Sequence, residues 1–326
     1  MSMLDKMKQK MLESSDSYNF YKDNYNAGDK NLEKRLDRLE KEHNEILDSY
    51  NNLFNILFID YDLKPKGVLK NAQDLCQELL NFIVNVCIKH DIEYWLDYGN
   101  LLGAVRHGGF IPWDDDMDLG MMRRDYDKFL SIINDELESH GLNNNIEVRT
   151  YKSDRVMFVQ IMYRTPEIGG IFAGLDIFPY DYITSYNDDA EELFREEKNK
   201  FKRHIKEGGD PKAGLKEYMN NFNVSMDPTD YVVAGVESVR SPFSKYAFKI
   251  LDSKKIFPLS KIRFNGIDYC CPKDVDYYLK EIYGDYHSIH KVIDQHTRLF
   301  NLKKQKGVLE QFDIHISKLK EINDTF

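Results

Sequence analysis

From Leu32 onward the chain repeats an apolar stripe at alternating steps of four and three. Leu32, Leu36, Leu39, His43, Ile46, Tyr50, Leu53 and Leu57 carry it, with charged residues between them. The spacing predicts a helix over 30–60 with a coiled-coil seam, and hence self-association through residues 32–57. An amphipathic helix lying on its own domain fits the same stripe. His43 and Tyr50 fall on the seam, which weakens a two-stranded zipper. Pro65 and Gly67 punctuate the chain after it. A second helix is predicted over 68–89, where Leu69, Ala72, Leu75, Cys76, Leu79, Phe82, Ile83, Val86 and Cys87 recur at helical spacing.

The pattern then changes period. IEYWLDYG reads as a strand ending in Gly99, with a short helix from Leu101 to Arg106 and a turn at His107-Gly108-Gly109. FIPWDDDMDLGMM reads as a second strand, and Arg124 to Leu137 as a helix. IEVRTY, VMFVQIMY and AGLDIFPY are three further strands. Residues 187–250 read as mostly helical, 262–271 as a strand pair, and 273–283 and 287–320 as helix. The polar stretch 1–29 reads as a mobile leader.

Composition narrows the class. With 326 residues and 42% hydrophobic positions the chain can bury a core of one large domain or two small ones. A formal net charge of -10 argues against a non-specific nucleic-acid binder, which needs a basic face. Cys76, Cys87, Cys270 and Cys271 lack zinc-site spacing and read as reduced, packed thiols. The opening thirty residues lack the apolar stretch of a signal peptide. Apolar runs such as Phe82-Ile83-Val84 are too short to span a bilayer. These features predict a cytoplasmic protein, one that can still work at the inner membrane surface on a lipid-linked acceptor.

The run Asp114-Asp115-Asp116-Met117-Asp118 carries the chemistry. Residues two apart on a strand share a face, so Asp116 and Asp118 project together, Asp114 sits at the strand entrance and Asp115 faces away. Like charges this close repel. A divalent cation removes that cost, because Mg²⁺ takes hard carboxylate oxygens together with substrate phosphates. A solvated acidic turn or a calcium loop is the plainer alternative, but the glycine and glutamate of an EF-hand are missing. Upstream, the Gly99-Asn100 junction opens a helix, which offers backbone N–H groups and close approach to an anion. Arg106 on that helix suits a phosphate clamp. Asp176, inside the apolar tract Leu175-Asp176-Ile177-Phe178, is the third metal ligand or base if its strand joins the same sheet.

The segment LDYGNLLGAVRHGGFIPWDDDMDLGMMRRDYDKF resembles the signature of the LicD family, which includes the fukutin-type proteins. Weaker similarity runs through GLDIFPYD to FNGIDYCCPKDVDYYLKEIYGDY, so that the resemblance spans roughly residues 68–290. It implies an α/β (α+β) fold: a nucleotidyltransferase-like mixed sheet flanked by helices, here with an N-terminal coiled-coil helix. The implied organisation is a leader at 1–29, an oligomerisation helix at 30–60 and a catalytic domain at 66–326. The resemblance also implies that Asp116, Asp118 and Asp176 bind Mg²⁺ (or Mn²⁺), with Asp176 able to accept the proton of an attacking hydroxyl. Gly99, Asn100 and Arg106 would hold the donor's phosphates, although the family commonly has Thr or Ser where this chain has Asn100. The implied reaction moves phosphocholine from CDP-choline onto a sugar of a surface glycan such as lipopolysaccharide, teichoic acid or capsule. A true nucleotidyltransferase, passing the nucleotide itself, keeps the same metal motif; a non-catalytic coiled-coil assembly protein is the remaining alternative. His107 reads as a turn residue, and Arg123 and Arg124 lie close in sequence to the site.

Overall fold

The computed structural model describes residues 30–60, 64–151, 157–165, 167, 169–238, 248–287 and 298–326. The expected leader at 1–29 lies outside them. The chain divides into two units, of which the first contains the helix α1 (Lys30–Asp60) and the second opens at Pro65. The helix predicted from the four-three stripe thus forms over its whole length. Leu36, Leu39, His43, Ile46 and Tyr50 along it are half-buried, and Leu53 is exposed.

In the second unit, α2 (Val68–Lys89) has the bounds its apolar period predicts. Leu75, Cys76, Leu79, Phe82, Ile83, Val86 and Cys87 are completely buried on it. The chain then enters β1 (Trp95–Leu96), α3 (Tyr98–His107), β2 (Met117–Met122), α4 (Arg123–Ser139), β3 (Ile146–Arg149), β4 (Val159–Arg164) and β5 (Ile171–Ile183). The sheet order is β1-β2-β5-β4-β3, with β2 and β5 parallel and the other neighbours antiparallel. This is the mixed α/β architecture expected. Helix α2 packs on β5 and on the late helix α10 (Val308–Asn323).

Two expected strands are shorter than the sequence pattern suggested. Strand β1 stops at Leu96 because Asp97 already caps α3, its carboxylate accepting the Tyr98 N–H. Strand β2 starts only at Met117, and residues 112–116 approach it as a turn and loop. Residue 120 must be glycine here. Trp95 pairs with Gly120 across the strands, and a Cβ at Gly120 would lie 2.3 Å from the indole.

Residues 187–250 are helical only in part. Helices α5 (Ala190–Lys206) and α6 (Pro211–Asn221) form, the latter with Asp210 as cap and proline in its first turn. Beyond them come β6 (Val224–Ser225), β7 (Tyr231–Ala234) and β8 (Ile250–Asp252). Strand β5 is 13 residues long, twice the reach of its neighbours, and its far half supplies the edge on which β6 and β7 pair. That long-range pairing decides the conformation of short segments whose own pattern is weak. After the short α7 (Ser253–Ile256), β9 (Ser260–Phe264) and β10 (Ile267–Cys271) form the expected pair. They turn at Asn265-Gly266, both at positive φ, the usual chemistry of a two-residue hairpin. Helices α8 (Val275–Tyr283) and α9 (Arg298–Leu302) precede α10. No helix among the described residues is long and apolar enough to cross a membrane.

A buried ion cluster ties the far half of β5 to the rest. Arg123, the first residue of α4, donates to both oxygens of Asp181 (2.7 and 3.0 Å) and both of Glu237 (2.6 and 2.9 Å). Tyr218 adds a hydroxyl to Asp181, and Tyr151 one to Glu237. Burial alone would weaken the guanidinium's hold on its proton; the two carboxylates raise it well above its ordinary value. Breaking a buried pair leaves an uncompensated charge, so Arg123→Met is expected to destabilise the fold by about 3–5 kcal/mol. Urea denaturation followed by far-UV circular dichroism checks this, and a change within experimental error would show the cluster to be dispensable.

Candidate active site

The turn between β1 and α3 is stitched to the first two residues of β2. The Asp97 N–H donates to the Asp118 carbonyl at 3.0 Å, and the Asp118 N–H donates to the side-chain carbonyl of Asn100. The Asn100 amide nitrogen donates to the Met117 sulfur at 3.2 Å. Asn100, expected to contact a phosphate, is buried with both ends of its amide directed at β2. Gly99 lies between these stitches, facing the acids. A Cβ on it would sit 2.8 Å from Asp114 Oδ2 and 3.7 Å from Asp118 Oδ2. A side chain there would have to push the Asp114 carboxylate aside.

Asp118 and Asp176 are direct partners in the parallel pairing of β2 with β5. They therefore share one face of the sheet, while Met117, Leu119, Leu175 and Ile177 fill the other and are completely buried. This register realises the sequence expectation that the Asp176 strand joins the sheet beside Asp118. On its other side Asp176 pairs with Gln160 of β4, whose amide donates to Asp176 Oδ1 at 3.0 Å.

Asp114, Asp115 and Asp116 precede the strand, so the two-residue alternation does not extend to them. Each offers a carboxylate oxygen within 4.8 Å of the others. Asp115, expected to face away, is buried beside its neighbours for this reason. Gln73 of α2 holds the loop in place by donating to the Asp114 carbonyl at 2.8 Å.

The electrostatics follow from this crowding. Asp118 keeps partial access to solvent, yet its carboxyl is raised well above the ordinary value. Desolvation is the main cause, followed by the charges of Asp116, Asp176, Asp114 and Asp97. Asp97 is completely buried, and burial pushes it up to about 6 against hydrogen bonds from Tyr180, Tyr98 and Tyr278. Hard oxygen donors, mutual repulsion and a glycine-walled recess suit a hard divalent cation. Among the described residues, Asp114, Asp115 and Asp116 bring oxygens close enough together to hold one. Of the expected ligands Asp116, Asp118 and Asp176, only Asp116 belongs to that group, with Asp118 and Asp176 paired beside it.

Arg106 stands two turns after Gly99 on the same face of α3, about 10 Å along the axis. The acid cluster and Arg106 thus lie towards opposite ends of one helix. His107 closes that helix just before Gly108, which adopts the left-handed capping conformation. Arg124 is exposed and pairs loosely with Asp227 at 3.6 Å. Sequence reading missed Asp97, Gln160, Tyr180 and Tyr278. For Asp97 a signal existed, since an aspartate just before a helical turn is an N-cap residue. Tyr180 shares the parity of Asp176 on β5, and Tyr278 falls in the weaker stretch FNGIDYCCPKDVDYYLKEIYGDY, whose resemblance singled out no site residue.

Residues 91–208 match the family described as LicD/FKTN/FKRP, nucleotidyltransferase domain. Over 75 residues the chain is 40% identical to the lipopolysaccharide cholinephosphotransferase LicD of Haemophilus influenzae, covering 23% of this chain and 28% of that protein. It is 47% identical over 49 residues to the human ribitol 5-phosphate transferase FKRP, covering 15% and 10% respectively. An uncharacterized protein of Rickettsia prowazekii is 60% identical over 56 residues, covering 17% and 21%. The chain therefore spans under a third of the length of each of these relatives.

The raised Asp118 carboxyl gives a pH signature. Its folded-state pKa lies above the ordinary 3.8. The fold then keeps a proton that the unfolded chain has lost, and stability is given up as pH rises through the folded value. In metal-free protein, Asp118→Asn is expected to melt higher than the native chain at neutral pH, with the gap closing below about pH 4. Adding Mg²⁺ at neutral pH is expected to reverse the order by stabilising the native chain more. Thermal melts across this range check both; a gap that ignores pH would contradict the crowding.

Proposed function

We propose that this chain, a member of the LicD/FKTN/FKRP family, is a divalent-cation-dependent transferase acting on a glycan. It moves a substituted phosphate from a CDP-linked donor to a hydroxyl of a cell-surface glycan, with CDP-choline the leading donor. The observation that carries this reading is the register of Asp118 against Asp176, with Asp114 and Asp116 beside them and the Gly99 backbone against the Asp114 carboxylate. Lipopolysaccharide, teichoic acid and capsule are the acceptor classes in view. The choice of choline rests on the cholinephosphotransferase being the relative matched over the longer stretch.

In this reading Asp114, Asp116, Asp118 and Asp176 hold Mg²⁺ or Mn²⁺. When bound, such a cation neutralises charge on the donor's diphosphate and so eases departure of its nucleotide half. The protein supplies the rest by position. Gly99 lets a phosphate approach the turn, Asn100 keeps that turn against β2, and Arg106 offers a guanidinium to the donor's outer phosphate oxygens. The Asp176 carboxylate, oriented by Gln160, accepts the proton of the acceptor hydroxyl. That oxygen bonds to the phosphorus carrying choline as the bond from this phosphorus to the bridging oxygen breaks, and CMP leaves. We place the reaction on the cytoplasmic side, with peripheral contact to the inner membrane face where the acceptor is lipid-linked.

A second reading is favoured by the matched domain's description as a nucleotidyltransferase. It uses the same acids, but the phosphorus attacked is the one bearing the nucleoside. Mass spectrometry of products from purified protein, Mg²⁺, several CDP-linked donors and candidate oligosaccharides separates the two. An acceptor heavier by phosphocholine is the expected result, and one heavier by CMP would replace the first reading with the second. Asp118→Asn and Asp176→Asn are each expected to lower turnover at least about 100-fold; near-native turnover in either would remove it from the site.

The apolar stripe on α1 supports a separate proposal, self-association through residues 32–57. Light scattering is expected to give a dimer or trimer for the full chain and a monomer for a chain beginning at Pro65. Two monomers would mean the helix packs on its own chain.

A further inference from the structure

Behind the acid cluster lies a hydrogen-bonded group that the transfer reaction as drawn does not use. The Asp97 carboxylate, 0% exposed, accepts from the Tyr98 N–H (2.8 Å), the Tyr180 hydroxyl (2.7 Å) and the Tyr278 hydroxyl (2.8 Å). The two hydroxyls stand 2.9 Å apart, and the Trp95 indole N–H donates to Tyr278 at 3.2 Å. Four elements meet here: β1, the start of α3, β5 and α8. A helix cap needs only one carboxylate contact with the first turn. Two hydroxyls from distant elements are more than capping demands.

The turn they secure is an unusual one. Tyr98 has φ +35°, in the left-handed region that bulky side chains rarely adopt. Its own N–H is the one bound by Asp97, and its ring rests edge-on against Phe178 at 4.9 Å. Gly99 follows at once, with its Cα against Asp114 and Asp118. The Asp97 N–H meanwhile holds the Asp118 carbonyl. If Asp97 loses its fixed orientation, the Tyr98 turn can relax, and both Gly99 and Asp118 move with it.

We propose that Asp97, locked by Tyr180 and Tyr278, is a positioning residue for the cation site, and that α8 thereby completes the catalytic unit. The proposal rests on the cation reading given above and adds residues to it. Tyr278 lies seventy residues beyond the matched stretch 91–208, so that stretch alone holds an incomplete site. Asp97 acts through the turn and is itself no ligand, because its buried oxygens face three donors.

Mn²⁺ alone, titrated into the full chain and followed by electron paramagnetic resonance well below the melting temperature, tests this. Tyr278→Phe removes one oxygen and no packing volume of consequence; it is expected to weaken Mn²⁺ binding about 10–100-fold. Tyr163→Phe serves as the control, since it also loses one buried hydroxyl, bonded to His315, and is expected to bind Mn²⁺ as the native chain does. Equal affinity in Tyr278→Phe and the native chain overturns the positioning role alone. Absence of Mn²⁺ binding by the native chain overturns the cation reading and this inference together. Should Tyr278→Phe fail to fold, Tyr180→Phe, which removes the other hydroxyl, decides by the same criterion.

Discussion

Repulsion among carboxylates is the constraint around which this part of the molecule is organised. Asp114, Asp116, Asp118 and Asp176 crowd one recess, with Asp97 buried just behind. In the absence of a counter-ion such a group pushes itself apart, so the fold must hold every member from outside. Asp118 is gripped through both its backbone polar groups, by Asp97 and Asn100. Gln73 reaches from α2 to the loop carrying Asp114, and Gln160 reaches from β4 to Asp176. The groups that do the holding are backbone or side-chain amides.

A second polar cluster solves a different problem on the same strand. Strand β5 continues past the site, and its far half must pair with β6 and β7 and still join α4. Arg123 balances Asp181 and Glu237 there, and Tyr218 and Tyr151 complete the bonding. This network is closed: one cation, two carboxylates, each oxygen given a donor. In the acid recess, by comparison, the charges of Asp116, Asp176, Asp114 and Asp97 add to burial in raising the Asp118 carboxyl. That contrast separates a cluster built for stability from one suited to a ligand.

The family resemblance and the structure agree on what is shared and differ in extent. Identity to the lipopolysaccharide cholinephosphotransferase and to the ribitol 5-phosphate transferase is confined to short stretches. The matched residues 91–208 carry the turn, the acid loop, Asp118 and Asp176. Outside them, the hairpin β9–β10 bonds to the turn after α3, where the Asn265 N–H donates to the Gly108 carbonyl. Helix α8 brings Tyr278 beneath Asp97. The late part of the chain thus braces an acid cluster whose residues lie early.

By itself the sequence determined the helices whose burial is periodic, α1, α2 and α4, because a 3.6-residue or heptad period is a local property. It determined the Asn265-Gly266 turn for a similar reason, since two adjacent residues supply the positive φ a hairpin needs. It also marked the aspartates as chemistry, because charge concentrated beside apolar strands has few other uses. Tertiary structure decided what depends on partners distant in the chain. Asp176 faces Asp118 only because β5 pairs in parallel with β2 at that register. Asp115 joins its neighbours because β2 begins only at Met117, after all three aspartates. Segments 224–225 and 231–234 became strands because β5 offers them an edge, and Asn100 turned inward because β2 presents it with the Asp118 N–H. In each case the deciding interaction joins residues far apart in sequence, and a local pattern carries no record of which partner the fold will bring.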